Sequence, residues 1–384
     1  MTKETFVPTT SSPTSDSPSN SPSKTGIKRR SFLKGLGVAG AALSTGSLLA
    51  ATAEASGRSG IITIGDVAIL RFLAAAEILE TDLWQQYNEL AGIQDSEVPG
   101  GSGSSAYAAA VTQLDGDMSQ YIHDNTEDEL SHEVFINAYL VSKGAEPVSL
   151  DQFRTLPSSQ ATGAQNIGRL TNLMQLSVDT SWWTRYRSRS GNPDLGDTFP
   201  QAVPTLAVGQ HTAIPRSDND LSDPNFLNAI AFTAGFHFGT IEQGGSSLYP
   251  KLSQRVTGLE TLRILLSIGG TEICHFQTWH DKVGNLKPLT AVDPVTGVSV
   301  TFPDLNSPPL GGEDFQTNLI MPEPTSFLNK KLPACSIIRP TETRGAAMGV
   351  VKGLGAGGLF IGQSKAFFKF MHTLAIEADL AVRE

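Results

Sequence analysis

Two copies of the four-residue pattern E-x-x-H constrain the fold of this chain more than any other feature. The first copy is Glu129-Leu-Ser-His132 and the second is Glu272-Ile-Cys-His275. Residues three apart on an α-helix share one face, so each copy presents a carboxylate and an imidazole one turn from each other. Both copies interrupt apolar stripes that continue on either side with helical spacing. We therefore expect both pairs to face a buried helical core.

Two further segments with helical periodicity carry a glutamate on the apolar stripe, followed seven residues later by a tyrosine. Glu80 precedes Tyr87 in one segment, and Glu242 precedes Tyr249 in the other. The chain order is thus Glu, E-x-x-H, Glu, E-x-x-H, which is an internal two-fold pattern. An ionised carboxylate in a dry core is very unfavourable unless it is paired or coordinates a cation. The pattern therefore predicts that four helices share one metal site.

Capping signals predict where these four helices begin and end. The first is expected over residues 64–91 and the second over 105–143, each followed by a glycine. The third opens at Asp223-Pro224, an N-cap with proline at the first helical position, and is expected to end before Pro250. The fourth begins with a capping-box pattern at Thr257 and ends at Gly284.

The remaining segments are less regular. The connection over 145–222 is far longer than an ordinary loop and contains a candidate helix over 165–187. Residues 286–345 are rich in Pro, Gly, Thr and Val, which indicates an irregular or short-stranded wrap. A final helix is expected over 363–383. The glycine run 353–358 lacks the Lys-Ser/Thr of a phosphate-binding loop, so we interpret it as a turn.

The first 55 residues have the composition of an export signal. Residues 1–27 are rich in Ser, Thr and Pro, are too polar to form a core, and are expected to be disordered. A basic segment containing Arg29-Arg30 precedes a short apolar stretch and small residues that offer an A-x-A-type cleavage site. Arg-Arg-Ser-Phe-Leu-Lys resembles the twin-arginine signal, which implies the twin-arginine export machinery and transport of an already folded protein. We expect a periplasmic or extracellular location.

Composition excludes several other classes of function. The chain has 28 Lys and Arg against 38 Asp and Glu, a formal net charge of −10, so a basic nucleic-acid interface is not expected. Two cysteines cannot form a four-thiolate metal site. No apolar run in the body of the chain reaches the roughly 18 residues of a membrane span.

The four-helix ligand pattern resembles the ferritin-like superfamily of di-metal carboxylate proteins, in particular its exported, desiccation-related branch. The resemblance implies a mainly α fold: a ferritin-like four-helix bundle over 61–285, with a long crossover insertion at 145–222. Residues 286–384 would then form an irregular wrap and an extra C-terminal helix.

The resemblance also implies a role for each residue of the pattern. Metal ligands would divide into terminal Glu80 and Glu242, bridging Glu129 and Glu272, and His132 and His275 on one metal each. Tyr87 and Tyr249 would lie next to the ligands and orient them. Glu77, one turn before Glu80, could replace it as a ligand or carry protons; only Glu80 has the seven-residue relation to a tyrosine.

The resemblance implies two Fe or two Mn ions as cofactors. Oxygen and nitrogen donors without thiolate suit these metals and also Zn. The resemblance implies an oxidoreductase acting on peroxide, dioxygen or ferrous iron in stress protection, with metal ions and a small oxidant as partners. The alternative is a non-enzymatic, desiccation-related structural protein with a structural or vestigial metal site. The sequence does not decide whether the chain forms a homo-oligomer, whereas the long insertions disfavour a closed storage shell.

Overall fold

The computed structural model describes residues 62–185, 198–312, 320–321, 335–336 and 344–384. These residues are mainly helical and form eight α-helices: α1 Ile64–Ala91, α2 Ser105–Val111, α3 Met118–Ser142, α4 Ser181–Arg185, α5 Pro224–Ser253, α6 Leu259–Val283, α7 Ala346–Ala356 and α8 Lys365–Leu380. None of these helices is long and apolar enough to cross a membrane. The predicted export signal over 1–55 lies outside the described residues.

Side-chain caps explain where α1 and α5 begin, whereas α6 begins after Gly258 without a side-chain cap, so the capping box predicted at Thr257 is wrong. The Thr63 hydroxyl oxygen accepts a hydrogen bond from the Asp66 amide at 3.1 Å at the start of α1. Asp223 accepts from the Asn225 amide at the start of α5, with Pro224 at the first helical position. The predicted bounds of α1 and the predicted start of α5 are therefore confirmed.

The long helices pack as two antiparallel pairs, α1 with α3 and α5 with α6. In the first pair the Thr126 hydroxyl donates to the Trp84 carbonyl, and His132 lies beside Glu77. Side chains join the two pairs: Tyr249 of α5 reaches Glu77 of α1. The resulting order makes α3 and α5 run in the same direction, which is why a long connection is needed between them.

The second predicted helix, over 105–143, is wrong as one continuous element, because residues 112–117 form a turn between α2 and α3. The Asp115 carboxylate accepts from the Asp117 amide at 2.9 Å, a local bond that competes with helix formation. The turn also directs Leu114 into the core, where it packs over Gly235 of α5.

Two other predicted helix boundaries are also wrong. Helix α5 continues through Pro250 to Ser253, because its last turn buries Leu252 completely. Of the candidate helix over 165–187, the described residues 165–185 are helical only at Ser181–Arg185. Asp82 of α1 accepts from the backbone amides of Leu170 and Thr171, so these amides bond to α1 instead of to carbonyls of their own segment.

Short strands and two further helices follow the long helices. Strands β1 Leu289–Val292 and β2 Ser299–Phe302 form an antiparallel hairpin in which Leu289 pairs with Phe302. Phe302 packs on Phe232 and Phe236 of α5. Strands β3 Ile320–Met321 and β4 Cys335–Ser336 also pair antiparallel. The strands agree with the predicted short-stranded wrap.

The C-terminal helices pack back onto the long ones, α8 against α1 and α7 against α8 and α5. The final helix predicted over 363–383 is confirmed as α8, which begins where the Ser364 hydroxyl oxygen accepts from the Phe367 amide. The turn predicted at 353–358 is wrong for residues 353–356, because α7 extends to Ala356.

Candidate metal centre

Acidic and histidine side chains from all four long helices meet in the interior. Glu129, Glu242 and Glu272 have no solvent exposure, and Glu77 is 1% exposed. His132 and His275 are 8% and 9% exposed. Each side chain lies on the inward stripe of its own helix, so the antiparallel pairing brings them together at one level of the fold.

The first group comprises Glu77, Glu129, His132 and Glu272, whose ligand atoms all lie within 4.8 Å of one another. His132 Nδ1 lies 2.9 Å from Glu129 Oε2, 3.4 Å from Glu272 Oε1 and 3.5 Å from Glu77 Oε2. Three carboxylates from three helices therefore surround one imidazole nitrogen.

The second group comprises Glu129, Glu242, Glu272 and His275, again with ligand atoms within 4.8 Å of one another. His275 Nδ1 lies 3.0 Å from Glu129 Oε1 and 3.3 Å from Glu242 Oε2. Glu129 thus turns one oxygen toward each histidine. Glu129 and Glu272 belong to both groups, and the two imidazole centroids are 6.5 Å apart.

Several inward atoms of these groups make no hydrogen bond within the described part of the chain. They are Glu77 Oε2, Glu242 Oε2, both Oε atoms of Glu272, and His275 Nδ1. The short distances from His275 Nδ1 to the carboxylate oxygens are therefore contacts between potential metal-ligand atoms and not hydrogen bonds of normal geometry. Buried polar atoms are rarely left in this state, and one cation in each group would satisfy them.

The pKa values of the glutamates show how unfavourable this concentration of charge is without a cation. Burial raises the pKa of Glu77 to about 7, although His132 partly offsets the effect. Burial and the charge of Glu129 raise the pKa of Glu272 well above its usual value, and burial raises that of Glu242. Burial would also raise the pKa of Glu129, but the charges of the two histidines and the hydrogen bond with His132 hold it far below its usual range.

Glycines at the contact between α5 and α6 leave room for the Glu272 carboxylate. A Cβ atom at Gly245 would lie 2.1 Å from Glu272 Oε2, and one at Gly269 would lie 2.7 Å from Cβ of Tyr249. Any larger residue at Gly245 would therefore displace a member of both groups.

Glu80 belongs to neither group, although it is close enough to interact with them. Its Oε1 is buried and makes no hydrogen bond within the described residues. Burial and the charges of Glu272 and Glu129 raise its pKa well above the usual value. The structure therefore brings Glu77, the alternative ligand raised from the sequence, into the first group. It leaves Glu80 at the edge of that group.

The two tyrosines have different partners. The Tyr249 hydroxyl donates to Glu77 Oε1, so this tyrosine does contact the first group. The Tyr87 hydroxyl pairs with His237 Nδ1 at 2.7 Å instead. The seven-residue relation between Glu80 and Tyr87 therefore does not place Tyr87 on a member of the groups.

Two residues that contact the groups were not predicted from the sequence. Asn125 Nδ2 donates to Glu129 Oε1 at 3.0 Å and to Glu242 Oε1 at 2.9 Å, while its Oδ1 accepts from Trp279 Nε1. Asn125 lies on the apolar stripe four residues before Glu129, and that position was a usable signal. Asp128 lies 3.2 Å from His275 Nε2, but it is off the stripe and the sequence offers no signal for it.

Comparison with known proteins identifies the N-terminal segment. The model of the TAT (twin-arginine translocation) pathway signal sequence matches residues 26–46. No curated protein and no solved structure matches the chain significantly. The predicted export is thus confirmed, and the protein is periplasmic or extracellular.

Proposed function

We propose that this exported protein is ferritin-like and binds two metal ions, iron or manganese, between its four long helices. Glu129 and Glu272 would bridge the two ions, because each belongs to both groups. Glu77 with His132 would complete the first ion, and Glu242 with His275 the second. The observation that carries the proposal is the convergence of buried carboxylate oxygens that have no hydrogen-bond partner in the described residues.

Charge balance supports a pair of divalent cations. Four ionised glutamates and two neutral imidazoles carry a total charge of −4, which two divalent ions neutralise. Burial then leaves no net charge in the core, in contrast to the mutual repulsion of the metal-free carboxylates. The donors are oxygen and nitrogen without thiolate, a set that suits iron, manganese or zinc and disfavours Cu(I) or an iron–sulfur cluster.

The proposed activity is oxidoreductase chemistry in stress protection. A bound pair of iron or manganese ions would supply two-electron redox chemistry toward peroxide, dioxygen or ferrous iron. The chain itself would orient the ligands: Asn125 holds Glu129 and Glu242 by hydrogen bonds, and Tyr249 holds Glu77. The aromatic stack of Trp84, Phe238 and Trp279 is almost completely buried and would exclude water from one end of the centre.

The slight exposure of His132 and His275 indicates where a small oxidant would enter. These two histidines belong to α3 and α6, and every glutamate of the two groups is more deeply buried. The route to solvent therefore runs between α3 and α6.

Twin-arginine transport of a folded chain is consistent with metal loading before export.

One observation favours a second candidate function, a structural protein without a working metal centre. Contacts with the glutamates raise the pKa values of His132 and His275 far above the usual histidine value, in spite of burial. Protonated histidines paired with Glu129 would form a metal-free ionic core. Such a core would hold the four helices together without redox activity.

Metal content distinguishes the two candidates. The folded protein is purified without chelator, and metals per chain are counted by elemental mass spectrometry before peroxide consumption is assayed. Two Fe or two Mn per chain together with peroxide turnover would support the oxidoreductase. Metal without turnover would support a structural metal site in place of both candidates. A content near zero that added Fe(II) or Mn(II) does not restore under reducing conditions would reject the metal centre.

A further inference from the structure

A second cluster of metal-ligating side chains lies where the connection from α1 to α2 contacts α3. The ligand atoms of Asp95, Glu97 and His123 all lie within 4.8 Å of one another. Asp95 and Glu97 belong to the connection over residues 92–104, and His123 belongs to α3. None of the three belongs to the two groups between the long helices, so this cluster is separate from the candidate metal centre.

The imidazole ring of His123 is buried between two carboxylates. The residue is 3% exposed. Its Nε2 lies 3.2 Å from Asp95 Oδ1, and its Nδ1 lies 3.5 Å from Asp124 Oδ1. A neutral imidazole carries a hydrogen on one nitrogen only, so one of these nitrogens turns a lone pair toward a carboxylate oxygen. That arrangement is repulsive unless a second proton or a cation lies between the two atoms.

The oxygen atoms near Nε2 favour a cation on that side of the ring. Asp95 Oδ1 accepts from the Glu97 amide at 2.8 Å, whereas Asp95 Oδ2 has no partner among the described residues. The half-buried Glu97 carboxylate likewise accepts no hydrogen bond in the described part of the chain, and no lysine or arginine there pairs with either carboxylate. On the Nδ1 side, Asp124 Oδ1 already accepts from Gln120 Nε2.

Distance, charge and donor type fit a zinc ion. Tetrahedral Zn²⁺ with nitrogen and oxygen ligands keeps neighbouring ligand atoms about 3.3 Å apart, which is close to the 3.2 Å between His123 Nε2 and Asp95 Oδ1. Two carboxylates and a neutral imidazole carry a total charge of −2, which one divalent ion neutralises. With the ion on Nε2, the ring hydrogen is on Nδ1 and can be donated to Asp124. A carboxylate in that position commonly fixes the tautomer of a metal-binding histidine.

We propose that Asp95, Glu97 and His123 bind one Zn²⁺ ion and that Asp124 orients the His123 ring. Water would fill the fourth tetrahedral position, because Asp95 is exposed to solvent. The ion would join the connection after α1 to α3. The proposal goes beyond the pair of ions between the long helices and does not depend on it. Mn²⁺ and Fe²⁺ bind such donors more weakly than Zn²⁺, and elemental mass spectrometry counts zinc separately from both.

Zinc content of two variants tests the proposal on the purified folded protein. Chelator-stripped wild type, His123→Gln and Glu97→Gln are dialysed to equilibrium against Zn²⁺, and bound zinc is counted by elemental mass spectrometry. We expect each variant to bind one zinc ion fewer than wild type. A glutamine at position 123 keeps a hydrogen-bond donor for Asp95 but removes the ring nitrogen that binds zinc. His372→Gln and Glu377→Gln on the exposed side of α8 are matched controls and should keep the zinc content of wild type.

The same count in a Glu272→Gln background separates this site from the candidate metal centre, because Glu272 belongs to both groups of that centre. Glu272→Gln should still bind zinc, and the addition of His123→Gln should remove one ion. Equal zinc content in wild type and in His123→Gln, or no zinc in Glu272→Gln, would overturn the proposal. His123 would then be an imidazolium paired with Asp95 and Asp124. Thermal melts confirm that each variant folds, and Glu97→Gln, which breaks no side-chain hydrogen bond, decides the question if His123→Gln does not fold.

Discussion

Metal content of three isosteric variants tests which glutamates hold the proposed ions. Glu272 belongs to both groups, Glu77 to the first and Glu80 to neither. Replacing each carboxylate by the amide of glutamine keeps the volume of the side chain and removes its charge. We therefore expect no ions bound in Glu272→Gln, one in Glu77→Gln and two in Glu80→Gln.

The thermal stability of the same proteins gives an independent magnitude. An ion present at 100 times its dissociation constant stabilises the folded state by about 2.7 kcal/mol, so two ions contribute about 5 kcal/mol. In a domain of this size 1 kcal/mol shifts the melting temperature by about 2 °C. Wild type and Glu80→Gln should therefore melt about 10 °C higher with metal than after chelation. The shift should be about half as large in Glu77→Gln and negligible in Glu272→Gln.

Elemental mass spectrometry and scanning calorimetry on loaded and chelated samples provide both readouts. Glu80→Gln is the matched control for Glu77→Gln, because both residues lie on α1 one turn apart. Loss of one ion in Glu80→Gln, with two retained in Glu77→Gln, would show that Glu80 is the ligand, as preferred from the sequence, and that Glu77 is not. Two ions retained in Glu272→Gln would refute the bridging arrangement.

Three further predictions use the same structure. Burial raises the pKa of Glu77 to about 7 and also raises that of Glu272. Metal binding near neutral pH should therefore release protons, and metal affinity should increase with pH. Calorimetric titrations in buffers of different ionisation enthalpy would detect the released protons. Tyr249→Phe removes the donor to Glu77 and should weaken metal binding about 10- to 100-fold, whereas Tyr87→Phe, which loses only the contact with His237, should leave metal affinity unchanged in competition with a chelator. Replacing Arg29 and Arg30 by lysines should retain the folded protein in the cytoplasm, and cell fractionation would contradict this prediction if export continued.

The helices that could be predicted from sequence are those whose signals are local. Helix α1 has a regular apolar stripe, an N-cap at Thr63 and a glycine after its last residue, and it forms over the predicted residues. The second predicted helix failed at 112–117, because burial of Leu114 against α5 is a long-range contact. The candidate helix over 165–187 failed because Asp82 of α1 binds its backbone amides.

Sequence alone determined the export signal, the mainly helical class and the presence of carboxylates and imidazoles on inward faces. Periodicity and spacing carry this information, because a helix places residues three and four apart on one face whatever surrounds it. Tertiary structure decided which of two glutamates one turn apart joins the candidate site. Glu77 and Glu80 both lie on the inward side of α1, and only the position of Tyr249, His132 and Glu272 on the other helices brings Glu77 into the group. The contact of Asp128 with His275 was likewise defined by two helices far apart in the chain, which no local pattern encodes.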